Sequence, residues 1–176
     1  IVSMQTTLPQ PNADAIAHSL ALSEKIHQAI QLNDGWINFA DFMHLALYEP
    51  GLGYYSGGAK KFGFAGDFVT APEISPLFAK TIANQVTQVI QALNIQNIQS
   101  NVLELGAGTG RLAKDLLLAL HDSKSSIQHY FILEVSAYLR EVQQEKLKAE
   151  LPAELFEKVV WLDTLPNEFN GFILGN

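Results

Sequence analysis

The segment Asn101–Leu117, NVLELGAGTGRLAKDLL, constrains this 176-residue chain more than any other stretch. A short apolar run leads into Gly106, Gly108 and Gly110, and an amphipathic run begins at Arg111. A strand that turns tightly into a helix needs positive φ or a missing Cβ, and glycine supplies both. The helix opening near Gly110 turns its free N–H groups toward the loop. A strand, glycine loop and helix in this order predict one βα step of an open α/β sheet. In such sheets ligands bind at the carboxyl ends of the strands.

The pattern repeats downstream. HYFILEV reads as a second strand, followed by a helix over 137–151 that Ser136 caps and Pro152 stops. KVVWL and GFILG read as a third and a fourth strand. Strands alternating with helices imply right-handed crossovers and a parallel sheet. Upstream the spacing is helical. DAIAHSLALSEKIHQAIQLN, NFADFMHLALYEPG and TAPEISPLFAKTIANQVTQVIQALN predict three helices. LGYYSGGAKKFGFAGDF reads as loop with one short strand. The predicted organisation is a mobile tail over 1–12, a helical extension over 13–97 and a sheet domain over 98–176. The last apolar strand runs out at Asn176, an odd place for a domain to finish, so a sheet truncated after its fourth strand is expected; an ordinary edge strand is the alternative.

Composition narrows the function classes. With 48% hydrophobic and 16% charged residues the chain suits a globular protein. Eighteen acidic against eleven basic residues give a net charge of −7, which argues against a broad nucleic-acid surface. The absence of cysteine excludes disulfides and thiolate chemistry. No apolar run is long enough for membrane insertion as a helix. The five histidines are scattered without metal spacing, and no metal is expected. The run REVQQEKLKAE reads as a solvated helix face.

The loop also discriminates between ligands. A dinucleotide fingerprint places its third glycine five residues after the first, where this chain has Arg111. Gly110 comes one residue early, and Glu104 stands ahead of the loop, where it would repel a pyrophosphate. This form resembles motif I of the class I methyltransferases that use S-adenosyl-L-methionine, whose ammonium a carboxylate at Glu104 would complement. Glu134, closing the second strand 28 residues after Gly106, can accept two hydrogen bonds from a ribose diol; capping the next helix is its bland alternative. Asp163, after the third strand, falls near the adenine in such a layout, or in a solvated turn before Pro166. In GDFVTAPEIS, Thr70-x-x-Glu73 has the form of a capping box, with Ser75-Pro76 as a rival helix start.

The order GYYS, GDFVTAPEIS, LELGAGTGRLAKDLL, ILEVS and FILGN, running from about residue 35 to the end, resembles the MidA family of S-adenosyl-L-methionine-dependent methyltransferases. The resemblance implies an α/β, Rossmann-like class I fold with a helical N-terminal extension over the cofactor site. It implies methylation of arginine in a protein substrate, linked to respiratory complex I assembly or a bacterial equivalent. Motif residues carry over onto Gly66, Asp67, Thr70, Glu73, Glu104, Gly106, Gly108, Gly110 and Glu134; Asp67 and Glu73 are expected to close over the cofactor and are candidates for the base, with an acid just beyond Asn176 as a third. Localisation would be cytoplasmic in a bacterium and the mitochondrial matrix in a eukaryote. Two rivals stay open: a cofactor-binding assembly factor with little turnover, and a nicotinamide-dependent oxidoreductase, which Glu104 and the early Gly110 disfavour. An exposed last strand leaves homodimerisation open as well.

Overall fold

The computed structural model describes residues 10–57 and 69–176. The chain divides into two compact units after Gly57.

The first unit holds α1 (Ala13–Leu32) and α2 (Phe39–Tyr48). Each starts on an asparagine cap. The Asn12 side chain accepts from the Ala15 N–H, and Asn38 accepts from Asp41 N–H, both at 2.8 Å. Asp34 and Gly35, both at positive φ, end the first helix as the turn chemistry predicts. His18 Nε2 lies 2.7 Å from the Leu52 carbonyl, so the first helix is tied to the segment after the second. No residue of either helix is buried.

The second unit is a four-stranded parallel sheet with helices. Its elements are α3 (Ala71–Ile74), α4 (Leu77–Ile95), β1 (Asn101–Leu105), α5 (Arg111–Asp122), β2 (Tyr130–Leu133), α6 (Ala137–Glu150), α7 (Ala153–Phe156), β3 (Val159–Leu162) and β4 (Gly171–Gly175). The strand order is β3-β2-β1-β4, all parallel. The chain steps outward from β1 to β3 and then returns to the other side of β1. The order therefore reverses between β1 and β4, which opens a crevice at their carboxyl ends.

One sheet face carries the core. Val102, Tyr130 and Ile132 are fully buried, with Ala83, Val86 and Ile90 of α4 and Ala113, Leu116, Leu117 and Leu120 of α5 in the same cluster. The amphipathic spacing of α4 and α5 supplies these contacts. On the opposite face Leu105 and Ile173 stay exposed.

Two sequence expectations need correction. The single helix expected over 70–94 is two helices. Ser75 is extended, as a residue before proline tends to be, and its hydroxyl accepts from the Leu77 N–H at 3.1 Å to start α4. The run REVQQEKLKAE is not solvated throughout: Gln143 and Leu147 are fully buried.

Candidate functional site

The register of the sheet lines up the strand ends. Leu162, Leu133, Leu105 and Gly175 form one row across β3, β2, β1 and β4. The next residue of each strand is therefore Asp163, Glu134, Gly106 and Asn176, side by side along the carboxyl edge. Three strand spacings make that edge about 14 Å long.

The glycine loop leaves the row at β1. Gly106 N–H still bonds the Leu133 carbonyl at 2.9 Å, and Gly110 N–H bonds Ala107 at 2.8 Å. Gly106, Gly108 and Gly110 have φ of 68°, 54° and 76°. Gly110 is the left-handed cap from which α5 starts. A Cβ on Gly106 would meet nothing within 4 Å, so the backbone there faces open space. A cleft beside the loop is lined by Thr70, Glu73, Glu104, Gly106, Thr109, Arg111 and Asn176, among others. It encloses about 40 Å³, room for a group the size of a carboxylate. Anything larger must extend along the open edge.

Glu104 is buried at the cleft floor. The Tyr130 hydroxyl donates to its Oε2 at 2.7 Å. Burial pushes the Glu104 carboxyl up to about 7, against the Tyr130 bond, and the nearby Glu134 charge adds to the rise. Glu134 is also buried. Its Oε1 accepts from the Ser136 N–H at 2.9 Å, and its Oε2 from Gln143 Nε2 at 3.2 Å. Capping of α6 falls to the Ser136 hydroxyl, which accepts from the Leu139 N–H at 3.3 Å.

Thr70 and Glu73 do not form the side-chain capping box their spacing suggests. Thr70 makes no side-chain cap bond. Glu73 Oε1 instead accepts from the Thr109 hydroxyl, which ties α3 to the glycine loop. Arg111 at the cleft is held by Asp115 at 2.7 Å. Asp163 sits on the edge with its side chain largely exposed, 2.5 Å from Arg140 Nη1. Gly66 and Asp67 lie outside the described residues. The loop, Thr70, Glu73 and Glu104 thus meet at one cleft, while Glu134 and Asp163 continue the edge away from it.

Sequence reasoning missed Gln143 and Tyr130. Gln143 reads as surface in a charged run, yet it bonds Gly108, Glu134 and Trp161. Tyr130 reads only as strand, yet it partners Glu104. Neither carries a local signal, because each partner comes from another element. Among the described residues no cluster of His, Asp and Glu could hold a metal ion, and no helix is long and apolar enough to cross a membrane.

Residues 81–176 match the model of a family described as "Putative S-adenosyl-L-methionine-dependent methyltransferase". The Drosophila melanogaster "Protein arginine methyltransferase NDUFAF7 homolog, mitochondrial" is 31% identical over 146 residues, covering 81% of this chain and 33% of that protein. The human "Protein arginine methyltransferase NDUFAF7, mitochondrial" is 31% identical over 125 residues, covering 68% and 28%. The chain spans a third or less of these curated relatives. A Burkholderia thailandensis structure bound to S-adenosyl-homocysteine superposes with a TM-score of 0.83 at 46% identity, covering 96% of this chain and 43% of that one.

Proposed function

This chain belongs to the family of S-adenosyl-L-methionine-dependent methyltransferases whose model spans residues 81–176, and from that premise we propose that it binds the cofactor along the carboxyl edge of the sheet and methylates a protein, at arginine. The observation that carries the reading is the placement of the glycine loop, Glu134 and Asp163 at three adjacent strand ends of one edge, about 10 Å from first to last. That order suits an amino acid, a ribose and a purine laid end to end.

The residues fit such a ligand. Gly106, Gly108 and Gly110 let the backbone approach the amino-acid end, and the first-turn N–H groups of α5 face a carboxylate there. Ionised Glu104 complements an ammonium. Each Glu134 oxygen has one donor already and keeps a second acceptor direction, which two ribose hydroxyls can use. Asp163 borders the adenine. Two buried carboxylates at this edge oppose a pyrophosphate, so the nicotinamide reading stays disfavoured.

When bound, S-adenosyl-L-methionine supplies an electrophilic methyl group on a sulfonium. The chain's own task is to bring a nucleophile into line with it, since such a displacement depends on proximity and orientation. A guanidinium is a poor nucleophile while protonated. Glu73 lines the cleft beside the loop, so its carboxylate can hold the guanidinium and accept its proton. Asp67 is the second candidate for that role, and Gly66 and Thr70 remain candidates for binding the cofactor. The arginine substrate rests on the names of the relatives, and a respiratory complex subunit is the partner that the family resemblance suggests.

Calorimetry with S-adenosyl-L-methionine, S-adenosyl-homocysteine and NAD tests the cofactor. Binding of the first two alone is expected, and binding of NAD alone overturns the reading. Transfer of a radiolabelled methyl group by the full-length protein to protein extracts tests the activity. Cofactor binding with no label on any protein favours the rival, a cofactor-binding assembly factor.

A further inference from the structure

Gln143 lies two turns into α6, inside a run of charged residues, with 0% of its surface exposed. Burying an amide without partners is unfavourable, and this one has three. Trp161 Nε1 donates to its Oε1 at 2.9 Å. Its Nε2 donates to the Gly108 carbonyl at 2.9 Å and to Glu134 Oε2 at 3.2 Å. An indole N–H can only donate. Trp161 therefore fixes which end of the amide faces it, and the NH₂ group must turn to the two acceptors.

Those two acceptors follow different strands. Gly108 belongs to the loop after β1, beyond the last ladder bond at Gly106, and Glu134 follows β2. The sheet alone does not hold them at a set separation. A carbonyl bonded toward α6 also directs the next peptide N–H, that of Thr109, the opposite way, because the peptide is trans. Thr109 lines the cleft. A Cβ on Gly110 would lie 3.4 Å from Gln143 Cγ, so the loop packs against the same side chain that bonds it.

We propose that Gln143 is the positioning residue of the cofactor cradle: it clamps the glycine loop to Glu134, with Trp161 setting its orientation, so that both grip one nucleoside at once. This rests on the reading that the loop and Glu134 hold the cofactor. Gln143 itself touches no ligand; it acts through Gly108 and Glu134.

The test measures affinity for S-adenosyl-homocysteine by calorimetry, with melting temperature in parallel, on wild type, Gln143→Met, Trp161→Phe, Glu134→Gln and the Gln143→Met/Glu134→Gln double variant. Gln143→Met removes the hydrogen bonds to loop and carboxylate at similar length, and a loss of roughly tenfold is expected. Trp161→Phe keeps the glutamine but frees its orientation, and a smaller, few-fold loss is expected. The double variant should lose less than the product of its single losses, since one residue acts through the other. A glutamine that merely fills space would lower the melting temperature while leaving affinity intact, or give losses that multiply, and either result overturns the assignment. Should Gln143→Met fail to fold, unchanged affinity in Trp161→Phe overturns it. A wild type that does not bind S-adenosyl-homocysteine overturns the cofactor reading, and this assignment with it; a binding wild type with unaffected variants overturns this assignment alone.

Discussion

Tyr130 donates its phenolic hydroxyl to Glu104 across neighbouring strands, at 2.7 Å, with both side chains buried. The pair places an ionisable carboxyl at the floor of the cleft with its proton affinity raised. Burial dominates the rise to about 7, and the hydroxyl bond only moderates it. Tyr130 is pushed well above its usual value, first by burial and then by the Glu104 charge, so it stays a donor.

Stability should therefore fall with rising pH over a defined window. The unfolded chain releases the Glu104 proton near 4.5, whereas the folded chain keeps it to about 7. Between these values the folded state holds more protons, so raising the pH favours unfolding. The total is roughly 3 kcal/mol at most, and it is constant above about 7. Glu104→Gln should remove this slope. Urea unfolding at pH 5, 6, 7 and 8 should show the variant gaining on wild type as pH rises; a constant difference would contradict the assignment.

Cofactor affinity should run the other way. An ionised Glu104 is what complements an ammonium, so binding is linked to loss of its proton. With the carboxyl at about 7, affinity for S-adenosyl-homocysteine should rise about tenfold from pH 6 to pH 8. Calorimetry at pH 6.5 in two buffers of different ionisation enthalpy should report net proton release. Glu104→Gln should abolish both effects.

The strands and the glycine loop were legible because their signals are local. NVLEL, HYFILEV, KVVWL and GFILG each pair an apolar run with flanking turn residues, and the observed strands fall inside them. Glu134 was legible for the same reason, as an acid closing a strand. The Thr70-x-x-Glu73 pattern misled, because a capping box and a tertiary contact use the same residue types. The Glu73 carboxylate went to Thr109, 36 residues away. Gln143 was illegible because its burial depends on a loop, a strand end and an indole brought together only by the fold. The break before α4 was half legible: Ser75-Pro76 offered a helix start, and the chain uses it after ending a separate turn at Ile74.

Glu73 and Thr109 should separate under mutation. Glu73→Gln retains an acceptor for the Thr109 hydroxyl but cannot take up a proton from a guanidinium. Methyl transfer by the full-length protein should drop about a hundredfold with S-adenosyl-homocysteine affinity unchanged. Thr109→Val removes the donor and should lower stability by about 1 kcal/mol in urea unfolding, because it leaves the half-buried carboxylate without that bond. Equal losses of affinity and rate in Glu73→Gln would place Glu73 in the cofactor's grip instead of in the transfer step.

Two glycines at positive φ should respond to alanine very differently. Gly171 begins β4 at φ 146°, and a Cβ there would lie 1.9 Å from the Asn101 carbonyl oxygen, at the first paired position of β1 and β4. No side chain can relax to make that room, since the obstacle is backbone. Gly171→Ala should cost about 3 kcal/mol or more and loosen β4 from the sheet. Gly106→Ala meets nothing within 4 Å, so only its left-handed φ of 68° opposes the change, at about 1–2 kcal/mol. Its larger effect should be on the ligand, because the new methyl group occupies the space the bare backbone leaves at the cleft. Urea midpoints and S-adenosyl-homocysteine affinity, measured together, check both. Gly171→Ala should lead on the first measure and Gly106→Ala on the second, and the reverse order would remove the cleft from consideration as the place where the cofactor meets the backbone.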